Sequence, residues 1–430
     1  MYNDYLCYVV IMILQNTVFI GSDHRLHTGD IQVLDDTIVR IEDTLSPSAG
    51  EDCMDCSGLL IIPALADCHV HSPDTILKGL FIGIEMTRWC DDSPQGTLQS
   101  RLFDYLDRIV PTPEFRTLVQ YSYLQYFHHG VGFIVETGQA DDSHEVLQSC
   151  AEEIGLKAVI DWYDQIPPEQ PACTRLTTGI HLPEEEDLTE DALQSIVALR
   201  SRHPEKILMT HCLENTWRQQ MMYQKFGMST IQLMESHGLL DVRAMLFHCI
   251  LADAADIALL AQRKATVVCC PVSSQRIGEG FMPVADMLAQ GVQVTLGTDF
   301  LDHDMWDCMR FLYTELSTGK SQIPHLAQQV FAMANRNAAA IGHDIGYRGI
   351  IEVGSDADLC FLEHTHQFDP LIEEATFSNV LHNVINTGHA SLVKHLMIQG
   401  RFVLRDGRCT TCNEDQVIAA YKQILIDQRW

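Results

Sequence analysis

The chain has 430 residues, 46% hydrophobic and 20% charged, so there is apolar material for a large core and no compositional sign of disorder. Its 28 Lys+Arg stand against 58 Asp+Glu, a formal charge of −30, which repels phosphate backbones and anionic lipid surfaces and argues against nucleic acid and membranes as partners. The acidity itself reads as a well-solvated surface.

The apolar stretch 5–14 is short, lacks a preceding Lys or Arg and runs into strand-like sequence, so it is expected to be neither a signal peptide nor a membrane span. Residues 12–21 read as a first strand, and up to residue 62 the pattern is of short alternating strands (17–20, 31–34, 37–41) broken by Gly, Asp and Ser. The same texture returns in 349–408, with strands at 358–362 and 395–404. Residues 1–62 and 350–430 are therefore expected to build one small composite β-sandwich domain with a C-terminal helix.

Between these ends, apolar β-rich runs alternate with helical stretches, as in parallel βα units. The predicted strands are 60–69, 132–136, 157–162, 178–181, 207–211, 244–248, 266–270 and 292–297, with amphipathic helices such as 189–202 and 252–262 in the gaps. Eight such strands predict an α/β fold in which 63–349 closes into a (β/α)8 TIM barrel. The acidic run 184–187 reads as a solvated helix entrance. The 15 cysteines, several inside apolar runs such as Cys269 and Cys270, suit a reducing, cytoplasmic setting. Two Cys-x-x-Cys pairs, Cys53 with Cys56 and Cys409 with Cys412, lie far apart and match no standard finger spacing, which favours unpaired thiols over a structural zinc site.

Barrel enzymes carry their chemistry at the C-terminal ends of strands. Here those ends are polar: Asp67-Cys68-His69-Val70-His71, Thr210-His211-Cys212-Leu213-Glu214, Phe247-His248-Cys249 and Gly297-Thr298-Asp299. His69 and His71, two apart on extended backbone, point to one face and can share a cation. An imidazole from His211 and a carboxylate from Asp299 complete a nitrogen and oxygen set suited to one divalent ion, zinc first, with iron or manganese as substitutes. A lone buried His is more often a hydrogen-bonded core residue, but four strand ends carrying ligand types together point to a metal. Glu214 leaves the strand three residues after His211 and can both take a proton from water and deliver one to a leaving group.

The run Pro63 to His71, the pair His211 and Glu214, His248, the segment Cys270-Pro271-Val272-Ser273-Ser274 leading to Gly280, Leu296 to Asp299, and Gly354-Ser355-Asp356-Ala357-Asp358-Leu359 resemble the amidohydrolase superfamily. The nearest branch is the one that holds S-adenosylhomocysteine deaminase, guanine deaminase and the triazine hydrolases. The resemblance implies that His69, His71, His211 and Asp299 bind one divalent ion, that Glu214 and Asp299 shuttle protons, and that His248 hydrogen-bonds the attacked group or the hydrolytic water. It also implies substrate contacts from His181, Trp89 and Ser274.

Departures accompany the likeness. Cys269 stands where relatives carry His, Ser274 where they carry Asn, Thr87 and Arg88 precede Trp89 where nucleoside deaminases place an acid, and Leu182 to Glu186 replace the usual residues after His181. The leading function is hydrolytic deamination of an aminated heterocycle. The alternatives are hydrolysis of a ring amide, side-chain amide or carbon-halogen bond at the same site, or a catalytically silent binding barrel, which would have lost a ligand or Glu214. A small molecule is the expected partner, with a homodimer or higher homo-oligomer left open.

Overall fold

A computed structural model describes residues 11–48, 50–138, 143–165, 174–300, 302–318 and 323–429; the start of the apolar stretch at 5–10 lies outside them. The alternating N-terminal pattern forms β1 (Ile11–Ile20), β2 (Leu26–Leu34), β3 (Thr37–Glu42), β4 (Asp52–Asp55) and β5 (Leu59–Pro63). The β-rich runs of the middle form β6 (Leu65–Val70), β7 (Val131–Glu136), β8 (Lys157–Asp161), β9 (Leu176–His181), β10 (Ile207–Cys212), β11 (Ala244–His248), β12 (Thr266–Cys269) and β13 (Gln293–Leu296). The C-terminal part contributes β14 (Leu359–Glu363), β15 (Val393–Ile398), β16 (Arg401–Arg405) and β17 (Arg408–Cys409).

Among the described residues, β6 to β13 pair in sequence order, each parallel to the next. The two outer strands of that order meet as well, through a parallel bridge between Val70 and Asp299. The Asp299 N–H donates to the His69 carbonyl at 2.8 Å, and the Thr298 N–H and hydroxyl donate to the Asp67 carboxylate at 2.9 and 2.5 Å. Gly297 permits the approach: a Cβ there would stand 2.8 Å from the Cβ and 3.0 Å from the backbone N of His69. The result is a TIM barrel.

Its interior is filled by inward side chains of alternate positions, among them Ala66, Cys68, Phe133, Val135, Met209 and Phe247. Ile341, Ile345 and Tyr347 plug the end where the strands begin, with the Tyr347 hydroxyl donating to the Ala64 carbonyl at 2.7 Å and its ring stacked on Phe133 at 4.8 Å. Outward strand residues pack on helices such as Glu190–Arg202, capped by the Thr189 hydroxyl, and Ala254–Arg263, which opens with a capping box between Asp253 and Asp256. Among the described residues no helix is long and apolar enough to cross a membrane.

The strands of both chain ends form one mixed sheet in the order β17-β16-β15-β14-β5-β1-β2-β3, with β4 added on β1. The ends meet where β5 pairs antiparallel with β14, Cys360 opposite Ile62. Lys157, wholly buried at the start of β8, ties barrel to sheet by reaching Asp356 at 2.8 Å and Asp358 at 2.6 Å.

Two predicted strands divide. The apolar run 60–69 breaks at Ala64, giving β5 to the mixed sheet and β6 to the barrel. Both halves are buried, so the hydrophobic pattern carries no sign of the break. The run 395–404 is a hairpin, turned at Gln399 and Gly400 with φ of 48° and 70°, and a Cβ on Gly400 would collide with the Asp35 carbonyl. The two Cys-x-x-Cys pairs do not converge. Cys53 lies on β4 beside β1 and Cys409 on β17, with β16, β15, β14 and β5 between them, so strand order rules out one shared zinc.

Candidate metal and catalytic site

Four strand ends, those of β6, β10, β11 and β13, deliver the polar residues to one mouth. Extended backbone at the end of β6 puts His69 and His71 on one face, with ring centroids 4.8 Å apart. His211 at the end of β10 brings its ring to 4.8 Å from His69 and 5.5 Å from His71. The ligand-type nitrogens of these three lie within 4.8 Å of one another. Asp299 follows β13 and sets Oδ1 at 3.4 Å from His69 Nε2 and 3.5 Å from His71 Nε2. Leu213, His248, Cys249 and Asp299 all adopt left-handed backbone, φ between 47° and 69°. Such strain at non-glycine residues is held only where neighbours fix it, here by the Asp299 N–H on His69 and the Cys249 N–H on the Cys212 carbonyl.

The donor chemistry fits a divalent cation. Burial, reinforced by the neighbouring imidazoles, pushes His71 down to about 3, and it likewise lowers His69 and His211, so the rings are neutral and able to ligate. Burial opposes the charge on Asp299, but His69, His248 and His71 outweigh it and hold the carboxyl well below its usual range. The His69 Nδ1 and the Thr137 hydroxyl share a hydrogen bond at 3.1 Å, and its buried Nε2 has no hydrogen-bond partner among the described residues. Two ligand atoms about 2.0–2.2 Å from one tetrahedral ion stand about 3.3–3.6 Å apart, the separation found between Asp299 and each of the first two histidines. Among the described residues two further clusters have ligand-type spacing, His69-His248-Cys270 and His181-Glu184-His211. In the first, burial keeps the Cys270 thiol far above its usual range and therefore neutral.

Beside the candidate ligands a cavity of about 260 Å3 opens, lined by His71, His211, Asp299, Glu214 and His248 among others. Glu214 is nearly buried; its Oε2 accepts from Arg218 at 2.8 Å and its Oε1 faces His248 Nε2 at 3.7 Å. Burial raises the Glu214 carboxyl, with His248 and Arg218 opposing the rise, which favours a group able to carry a proton at neutral pH. Trp89, Phe103, Phe300 and Tyr163 supply flat apolar walls, and Trp89 meets Phe300 edge to face at 5.5 Å.

Two sequence candidates stand behind the described lining of the cavity rather than in it, His181 with its ring 5.7 Å from that of His211. His181 is not among the described residues lining the cavity; its Nδ1 bonds Asp161 at 2.6 Å and its Nε2 faces Glu184 at 3.6 Å. Burial opposes its protonation, but Asp161 prevails and raises the imidazole. Ser274 does not line the cavity either. Its neighbour Ser273 donates to Asp299 Oδ2 at 2.6 Å, because the helix Pro271–Arg276 turns one serine inward and carries the other past it.

The acidic run 184–187 is not a solvated helix entrance. Glu184 lines the cavity and sets Oε1 at 2.6 Å from His211 Nδ1, outside hydrogen-bond geometry. Glu185 is buried, accepting from the Leu213 N–H at 3.0 Å. Glu186 pairs with Arg218 at 2.7 Å. Arg218 thus gathers Glu184, Glu186 and Glu214, and these carboxylates overcome burial and raise the guanidinium further. The spacing of Glu214 and Arg218, four apart on a helix start, could have signalled that pair. Glu184 and Asp74, also in the lining, left no local signal.

Among solved structures the chain is similar to a zinc-bound adenosine deaminase from Xanthomonas campestris (TM-score 0.83, 17% identity, 97% of this chain and 98% of that one). It is similar too to a triazine hydrolase from Arthrobacter aurescens (TM-score 0.82, 16% identity, 97% and 99%). These likenesses concern the fold. By sequence it is 23% identical to a 5-methylthioadenosine/S-adenosylhomocysteine deaminase of Pyrococcus abyssi, over 95% of this chain and 97% of that protein. It is 24% identical to a 5'-deoxyadenosine deaminase of Methanothermobacter thermautotrophicus, over 91% and 93%. The amidohydrolase family model matches residues 60–403, and the chain belongs to the amidohydrolase family.

Proposed function

We propose that the protein hydrolyses the exocyclic amino group of an aminated aromatic heterocycle, releasing ammonia, with one divalent ion, zinc first, held by His69, His71, His211 and Asp299. The observation that carries this reading is the placement of Glu214 and His248 on the cavity wall beside those four residues. Similarity to curated deaminases over nearly the whole chain supports the choice of reaction.

Such an ion would supply Lewis-acid activation of water. The chain's own groups do the rest. Asp299, held by the Ser273 hydroxyl on Oδ2, accepts a proton from the water that attacks the ring carbon. Glu214, oriented by Arg218, protonates the amino nitrogen as the carbon-nitrogen bond breaks, so that water and the amino ring become the oxo ring and ammonia. His248, facing Glu214, hydrogen-bonds the attacked position. The aromatic walls hold the ring plane and exclude bulk water. The free state of the described cysteines supports a reducing, cytoplasmic setting.

The test is ammonia release by the metal-loaded protein from a panel of aminated purines, pyrimidines, pterins and triazines. Turnover of at least one, abolished in Asp299→Asn, is expected. Release of halide or an amine from substituted rings with no ammonia from any amino ring would overturn deamination.

A further inference from the structure

Asp74 belongs to neither the candidate metal ligands nor the proposed proton shuttle. It lies in the buried 3-10 turn Ser72–Leu77 directly after His71 and is 6% exposed. It lines the cavity, yet its buried Oδ1 has no hydrogen-bond partner among the described residues. Burial, and after it the acidic groups Glu136, Asp299 and Asp107, raise its carboxyl well above the usual range, so it is a cationic donor beside it that would restore the charge. A buried carboxyl with no donor is costly, and such groups persist where a ligand supplies the missing partner. The turn that carries it is held firmly, since the Ser72 N–H donates to Glu136 at 2.9 Å and the Ser122 hydroxyl to the Ser72 carbonyl at 2.6 Å.

The rest of the described lining agrees in sign. Asp74, Glu184, Glu214 and Asp299 are its carboxylates and Arg218 its only guanidinium, already committed to Glu184, Glu186 and Glu214. The aromatic walls add faces that attract a flat cation.

We propose that Asp74 is a specificity-determining residue that accepts hydrogen bonds from a planar ring bearing an amidinium-like, guanidinium-like or second amino edge, and that this cavity rejects carboxylated and phosphorylated analogues. The inference rests on the reading of the cavity as a site for an aminated ring.

The test uses three flat probes of one shape, benzamidine (cation), benzamide (neutral) and benzoate (anion), titrated calorimetrically into the metal-loaded protein and into Asp74→Asn and Asp74→Leu. The wild type is expected to prefer benzamidine over benzamide about tenfold to a hundredfold, the worth of a charge-assisted hydrogen bond, and to bind no benzoate. Both variants should lose that preference, keep benzamide binding within about threefold, and melt at or above the wild-type temperature, because a partnerless buried carboxyl has been removed. Equal binding of the three probes by the wild type, a cation preference that survives both variants, or a clear fall in melting temperature in Asp74→Asn would each overturn the assignment. Ammonia release from amino rings with no effect of Asp74 on the probes would leave deamination standing and remove this inference; the reverse pattern would do the opposite.

Discussion

Replacing Glu214 by Gln tests the proton shuttle most directly. The side chain keeps its length, and its amide oxygen can still accept from Arg218 Nη1, which stands 2.8 Å from Oε2. Arg218 also retains Glu184 at 3.1 Å and Glu186 at 2.7 Å, so the guanidinium is not left buried and unpaired. Among the described residues no hydrogen bond of the candidate ligand set runs through Glu214, which faces the His248 imidazole at 3.7 Å. Stability is therefore expected to change by no more than about 1 kcal/mol. Turnover loses a positioned acid and base, about two to four orders of magnitude, or about 2.7–5.4 kcal/mol of barrier at about 1.36 kcal/mol per decade. The assay is kcat on a confirmed substrate beside metal content by elemental analysis and unfolding in denaturant, with Asp299→Asn in parallel. Asp299→Asn should lose both the metal and activity, since that carboxylate faces His69 and His71 at 3.4 and 3.5 Å. Near wild-type turnover in Glu214→Gln, or loss of its metal alongside Asp299→Asn, would refute the division of roles.

Three further outcomes follow from other parts of the molecule. Lys157→Met strands Asp356 and Asp358 around a site that is 0% exposed and should cost about 3–5 kcal/mol in denaturant unfolding; a change below about 1 kcal/mol would show that the triad does not hold barrel and sheet together. Gly297→Ala places a Cβ 3.0 Å from the His69 backbone N, so the chain should still fold but bind its metal at least tenfold more weakly by competition with a chelator, and unchanged affinity would contradict the close approach of β13 and β6. A hydrogen bond from Cys412, whose sulfur is 3.5 Å away, pulls the Cys409 thiol down to about 6, so at pH 7 iodoacetamide should modify Cys409 before the buried Cys68 or Cys269; mass spectrometry finding those first would refute it.

The barrel was legible because parallel strands buried on both faces read as separate apolar runs with helices between them, and seven of the eight run from one turn signal to the next. The convergence of the candidate ligands was legible for a similar reason. His69 and His71 need only the period of two of an extended strand to share a face, and His211 and Asp299 need only to end their own strands at the same mouth.

Other features depended on which element each segment meets in space. The split at Ala64 is invisible in an unbroken apolar run, since β5 and β6 are equally buried and differ only in the sheet they join. Glu184 and Asp74 carry the polar and acidic character of loop residues, and nothing local distinguishes a solvated carboxylate from one folded over a cavity. Ser273 rather than Ser274 reaches Asp299 because of the phase of one short helix, a rotation of about 100° per residue that a pair of adjacent serines does not encode. Chain-local periodicity thus determined the strands and the candidate ligands they end in. The wall of the cavity was decided by loops brought together from distant positions, where the balance of burial and charge exists only after the barrel has closed.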